Sequence, residues 1–356
     1  MSERREGEFI IAPDDRILVT GATGFIGSRL VENLINRGFR NLVCLVRPSS
    51  ERARLDDLAS RRPGASIEIV AGNLQSREDC ARAMEDVAVV FHLVAGGGEK
   101  AFPDAVMNAV VTTRNLLEAA AGRPSLRRFV HVSSFTVYSN RSNPHGRVLD
   151  ERGPVEGQPA LRGEAYCFAK VKQEEIVREY GARHRLPYVI VRPGAVYGPG
   201  QVDISGRVGV GTFGVFLHLG GRNTIPFTYV DNCADAIALA GLRSGIEGEV
   251  FNVVDDDLPT SRQFLRLYKR CVRPLVSVYV PSLVGYVLCY AWERYSAWSQ
   301  GQLPPVYNRR RWHAYWKGAR YSNAKLKARV GWAPAVPTAE GLRRYFQDCR
   351  ERRRHA

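Results

Sequence analysis

The segment that most constrains the fold is RILVTGATGFIGSRLVENLINRGFRNLVCLVRPSS, Arg16 to Ser50. Its apolar run, Ile17 to Val19, has the length of a buried strand. A turn with Gly21, Gly24 and Gly27 follows. Ser28 to Asn36 then carries Leu30, Val31, Leu34 and Ile35 at helical spacing, and Gly38 ends that helix. Asn41 to Val46 reads as a second strand. A strand, a glycine turn, a helix and a strand are the setting that a dinucleotide loop requires. The glycines let the backbone approach a pyrophosphate, and the helix N-terminus presents free N–H groups and a positive dipole end. The bland alternative is a turn that only joins strand to helix.

The end of the second strand bears on the cofactor. An acidic residue there would accept from both ribose hydroxyls, but the chain has Arg47. A cation suits a 2′-phosphate and offers no acceptor to a free hydroxyl. NADP(H) is therefore the expected cofactor, with NAD(H) as the alternative. Against this, Arg47 would simply point to solvent.

Further along, Ile67–Val70, Val87–Val94, Arg128–Val132, Tyr188–Arg192, Phe227–Val230 and Val250–Val254 read as strands. Arg77–Met84, Ala105–Ala121 and Ala234–Leu242 read as helices. Alternating strands and helices imply an α/β fold, a doubly wound, mostly parallel sheet of Rossmann type covered on both faces. The strand Arg128–Val132 runs into SSFTVYS, so hydroxyl residues follow its carboxyl end, where ligands bind in such sheets.

Composition narrows the class. The chain has 45% hydrophobic and 24% charged residues, which fits a globular protein. The seven cysteines form no CxxC pair, which argues against a disulfide framework or a metal site and fits a reducing cytoplasm. Cys167 reads as a small packing residue rather than a reactive thiol. No secretory leader is apparent. The net charge of +15 is concentrated in residues 301–356, where fourteen Lys or Arg face three acids, 14 − 3 = +11. No nucleic-acid-reading module accompanies it, so no specific nucleic-acid partner is expected. An anionic membrane surface is the more interesting partner for such a charge.

GEAYCFAKVKQEE, residues 163–175, stacks Tyr166 and Lys170 one helical turn apart, with Glu174 and Glu175 available as ordinary partners for the lysine. A phenol titrates near ~10, and an adjacent ammonium favours the phenolate and lowers that value. The competing reading is a packed tyrosine beside a surface ion pair.

Together, TGATGFIG, HVSSFTVYS, YCFAK and RPGAVYGPG make the chain resemble the extended short-chain dehydrogenase/reductase family over roughly residues 16–345. Asn232, in YVDN, resembles its 3β-hydroxysteroid dehydrogenase-like branch. The resemblance implies Ser134, Tyr166 and Lys170 as the catalytic set, with Ser133 as the neighbouring candidate for the serine. It implies a cofactor cradle of Gly21, Thr23, Gly24, Phe25, Ile26, Gly27, Arg47, Asn73, Leu74, Val94, Ala95, Asn108, Tyr166, Lys170, Pro193 and Val196. Lys170 would also hold the nicotinamide ribose. Val111 stands at a usual glycine position near Asn108, Asn73 replaces an acid, and HLVA followed by Gly96–Gly98 replaces HLAA. The resemblance also implies a layout. Residues 1–15 themselves read as a short, partly mobile tail, and the dinucleotide-binding domain (16–198, with 227–254 returning to it) follows. A substrate lobe (199–226 and 255–350) and a basic tail (351–356) complete it. Helix-paired homodimers are common in the family.

The substrate reading turns on departures. Sugar-nucleotide members usually have a diphosphate-binding asparagine where this chain has Gly194, and an arginine where it has Ile225; Arg207 and Arg222 are nearby substitutes. Residues 275–292, LVSVYVPSLVGYVLCYAW, are apolar and aromatic. They suit a helix over an apolar pocket, a helix in a membrane interface, or a plain buried helix. The expected activity is interconversion of a secondary alcohol and a ketone on a bulky, apolar small molecule, in the cytoplasm or on its membrane face. The alternatives are a nucleotide-sugar epimerase or dehydratase, and a non-catalytic dinucleotide sensor or RNA-binding protein.

Overall fold

A computed structural model describes residues 9–62, 64–95, 101–300 and 302–354. The expected irregularity at Gly96–Gly98 lies outside them. Seven parallel strands form the central sheet. From edge to edge they are Val250–Val253, Tyr188–Pro193, Arg128–Val132, Val87–His92, Arg16–Thr20, Asn41–Val46 and Ser66–Ala71. The order reverses beside Arg16–Thr20, and their carboxyl ends line one edge of the sheet, where a doubly wound fold opens its crevice.

Both faces are covered, so the inner strands are continuous apolar runs. In the first strand Ile17 and Val19 enter one core with Leu30, Leu34, Ala236 and Leu239, while Leu18 enters the other with Leu116, Leu117 and Val177. Ala109 and Ala169 make a smaller contact between helices.

Several local expectations are revised. Phe227–Tyr229 does not join the central sheet; it pairs with Ala195–Tyr197 in a separate two-stranded ladder. The helix expected over Ala105–Ala121 is broken by a π-type turn, Val106–Val111, before Thr112–Ala120. Residues 9–15, expected as part of a loose tail, pack against the body: Ile10 N–H donates to the Leu242 carbonyl (2.9 Å) and Phe9 meets Phe39. At the other end the helix Thr338–Arg354 runs through most of the expected basic tail. The apolar run 275–292 is not one helix, because Pro281 separates the strand Ser277–Tyr279 from the helix Ser282–Trp298.

Candidate active site

The glycine turn is fixed by close backbone approach. A Cβ at Gly27 would lie 2.0 Å from the Gly21 carbonyl oxygen, and Gly21 itself has φ +74°. The helix Phe25–Asn36 starts at Gly24, which gives its first N–H groups no side-chain cap. Uncapped donors beside a glycine cradle fit a pyrophosphate.

The cleft beside this turn is lined by Gly21, Thr23, Gly24, Arg47, Asn73, Leu74, Val94, Ala95 and Asn108 from the expected cradle. It also includes Leu45, Val46, Ser50, Gly72, Gln75, Leu93 and Thr112, which the sequence reading did not single out. Phe25, Ile26, Gly27, Pro193, Val196, Tyr166 and Lys170 are not in this lining; Phe25 packs toward the aromatic cluster around Tyr197, and Ile26 toward the sheet core. Arg47 is both exposed and part of the lining, so the two readings of it are not exclusive. The Asn73 side-chain oxygen accepts from Gln75 N–H (3.0 Å), and Asn108 sits in the π-type turn, where its oxygen accepts from Gln75 Nε2 (3.1 Å).

Tyr166 and Lys170 lie in the first turns of the helix Ala165–His184. The Tyr166 hydroxyl lies close enough to Ser134 for the serine hydroxyl to favour its ionised form. The serine accepts from Thr136 N–H (3.2 Å) at the start of a short helical turn. Its neighbour Ser133 is buried and donates to Glu174 Oε1 (2.6 Å), so of the two serines only Ser134 meets the tyrosine. Glu174 also takes two bonds from Arg192 (2.8 and 2.5 Å), while Glu175 pairs with Lys172. Both acids that might have held Lys170 are therefore engaged. Lys170, almost fully buried, donates to the Val132 carbonyl (2.6 Å).

The electrostatics differ from expectation in sign. Burial raises the Tyr166 phenol above its ordinary value; the Ser134 hydroxyl opposes this, and nearby Glu164 and Cys167 add to it. Burial also lowers Lys170, to about 7, against the favourable pull of Glu174. A cation that is itself half discharged near neutrality is a weak tuner of a neighbouring phenol. Cys167 is buried, donates to the Thr136 carbonyl (3.3 Å) and is pushed up to about 11, mainly by burial, which fits an inert packing residue. No metal-ligand cluster occurs among the described residues.

On the far side of the two hydroxyls stands a group with no local sequence signal. The Tyr315 hydroxyl donates to Glu164 Oε1 (2.5 Å) and lies 3.2 Å from Thr136 Oγ1. Buried Arg162 pairs with Glu164 (3.0 Å), and Arg162 and Arg207 both stack on the Tyr315 ring. Behind Lys170, a buried chain joins Thr20, His92, Thr113 and Gln173 through bonds of 2.7–2.8 Å. Burial holds His92 neutral, lowered to about 3.

The positions that bear on sugar nucleotides are also fixed by packing. A Cβ at Gly194 would lie 2.0 Å from the Pro226 carbonyl oxygen, so no asparagine fits there without backbone movement. Ile225 is buried in the aromatic cluster, Arg207 bonds the Ala314 carbonyl, and Arg222 is exposed.

Comparison with known proteins agrees with this architecture. The NAD dependent epimerase/dehydratase family matches residues 17–253. A UDP-glucose 4-epimerase of Mycolicibacterium smegmatis is 34% identical over 254 residues, covering 67% of this chain and 76% of that enzyme. The 3beta-hydroxysteroid-dehydrogenase/decarboxylase isoform 2 of Arabidopsis thaliana is 24% identical over 92% of this chain, which spans 60% of that protein. Among solved structures, UDP-glucuronic acid 4-epimerase from Bacillus cereus, in complex with UDP-glucuronic acid and NAD, aligns at TM-score 0.70 and 22% identity. That alignment covers 94% of this chain and 99% of that one. The family match runs from the first strand of the sheet to its edge strand. The chain accordingly belongs to the NAD dependent epimerase/dehydratase family and is a nicotinamide-dependent enzyme of the extended short-chain dehydrogenase/reductase type.

Proposed function

We propose that the chain is an NADP(H)-dependent oxidoreductase that interconverts a secondary alcohol and a ketone on a bulky, mainly apolar substrate. The observation that carries the chemistry is the proximity of Tyr166 and Ser134 at the carboxyl edge of the sheet, with Lys170 one helical turn below the tyrosine. A bound nicotinamide supplies or accepts the hydride. Ser134 holds the substrate oxygen, and Tyr166 delivers its proton to that oxygen or takes it away. A phenol raised by burial is protonated at neutral pH, which favours reduction of the ketone. Lys170 uses one donor on Val132 and keeps at least one more for a ribose hydroxyl. Arg47, at the mouth of the cleft, would meet a 2′-phosphate.

Two observations support the substrate class. The side-chain positions for a diphosphate are closed at Gly194 and apolar at Ile225. The relative named for steroid chemistry aligns over 92% of the chain, whereas the UDP-glucose epimerase aligns over 67%. The second reading, a nucleotide-sugar epimerase, is favoured by the 34% identity to the latter, and Arg207 is then the cation beside the site.

The test is turnover of NADPH with apolar ketones by the wild type and by Tyr166→Phe. The variant should bind NADPH unchanged and lose about 10²–10⁴-fold in kcat. Undiminished turnover by Tyr166→Phe sinks the catalytic assignment. Protein that purifies with oxidised cofactor held tightly, and that consumes no NADPH with any ketone, would instead establish the epimerase reading.

A further inference from the structure

The helix Ser282–Trp298 turns an apolar face outward. Leu283 and Trp298 are 75% and 76% exposed, and Val284, Val287, Leu288 and Tyr295 lie exposed between them. Its other face is the packed one: Gly285, Cys289 and Ser296 are buried, and Tyr286 meets Trp312 edge to face at 5.0 Å. The reading of this segment as a plain buried helix therefore fails. The segment just before it adds exposed Val276, Val278 and Tyr279, and its strand Ser277–Tyr279 pairs in parallel with Phe216–His218. The turn that joins the antiparallel strands Gly209–Thr212 and Val215–His218 carries Phe213, fully exposed at φ 45° next to Gly214. Exposed apolar side chains in this number mark an interaction site.

The charge around it selects the occupant. Residues 261–317 contain ten Lys or Arg and one acid, Glu293, so 10 − 1 = +9. Glu293 is itself bound by Arg309. Arg262, Arg266, Arg270, Arg273 and Arg294 are exposed. A second copy docking face to face would bring these like charges together, which is unfavourable. An anionic lipid surface complements them. No helix among the described residues is long and apolar enough to cross a membrane. The helix is about 25 Å long, and its single outward apolar stripe suits a position flat in the interface.

We infer that this face is a docking surface for an anionic bilayer, with Leu283, Val287, Leu288 and Trp298 entering the headgroup boundary and the surrounding arginines meeting lipid phosphates. The inference concerns where the protein sits and does not depend on the reaction. Its geometry does connect the two, because the helix packs on Arg309–Tyr315, which carries Tyr315 to Glu164 and Thr136.

The experiment is co-sedimentation of the full chain with phosphatidylcholine vesicles, with and without phosphatidylserine, at low and high salt. Binding should require phosphatidylserine, weaken with salt, and shift tryptophan emission to the blue. Arg266→Glu with Arg270→Glu should weaken partitioning by about thirtyfold or more. Val287→Asp with Leu288→Glu should abolish it while NADPH-induced thermal stabilisation is retained. The inference is overturned by wild-type protein that stays in the supernatant with phosphatidylserine vesicles at low salt. It is equally overturned if the Val287/Leu288 variant binds undiminished, or if this face instead forms a dimer that the same variant dissociates.

Discussion

Burying an ammonium with no carboxylate of its own is costly, and Lys170 is such a case. Its folded pKa, about 7, lies below the value of a free lysine. The unfolded chain thus binds more protons between about pH 7 and pH 10, and stability rises with pH across that window. Replacing the lysine removes the penalty. Lys170→Met should therefore raise the unfolding free energy from urea denaturation below about pH 7 by about 1–3 kcal/mol, with the gain disappearing near pH 10. Turnover should fall at the same time, as expected where a strained group serves function. An unchanged or lower midpoint at acidic pH would refute this account of the lysine. Arg47 is the converse case, exposed at a strand end where its replacement leaves the fold intact. Arg47→Asp should shift the ratio of kcat/KM for NADPH over NADH toward NADH by about tenfold or more, since it removes a 2′-phosphate partner and supplies a hydroxyl acceptor. A preference that does not move would place the 2′ position elsewhere.

At the scale of elements, the Glu174–Arg192 pair fastens the helix of Tyr166 to the strand Tyr188–Pro193, and Ser133 ties the same carboxylate to the next strand. Both partners are buried, so breaking the pair leaves one charge uncompensated. Glu174→Gln should lower stability by about 3–5 kcal/mol in chemical denaturation; a loss under about 1 kcal/mol would show that the helix is held by its apolar face alone. The strands at Ile17, Val43, Val89 and Val130 were readable because a parallel sheet covered on both faces leaves continuous apolar runs. The glycine turn was readable because its spacing is a steric requirement. Other features left no such trace. The π-type turn at Val106–Val111 has ordinary helical composition. The role of Glu174 was hidden because Arg192 lies 18 residues away, beyond any helical period. The direction of the Tyr166 shift escaped for a related reason: spacing shows that a cation is near, but not how deeply both groups are buried.

For the molecule as a whole, the site is completed by contacts across great separations in sequence. Tyr315 reaches Glu164 across 151 residues, Asn308 donates to the Arg162 carbonyl, and Arg207 stacks on Tyr315. These contacts place Glu164 beside the phenol of Tyr166, where its negative charge helps to keep the proton on. Glu164→Gln removes that charge, so the Tyr166 pKa should fall. In the reducing direction, activity is lost as pH rises and the phenol ionises, so this limb of the kcat/KM profile should move to lower pH by about half a unit to one unit. In the oxidising direction, where the phenolate is the base, the rise should begin at correspondingly lower pH. Buried Arg162 loses a carboxylate partner in the same variant, so thermal stability should also fall. The pH shift separates the two effects, because a merely loosened fold changes amplitude without moving the limb. A profile that keeps its midpoint while losing height would show that Glu164 holds Arg162 and Tyr315 in place without contributing to proton transfer.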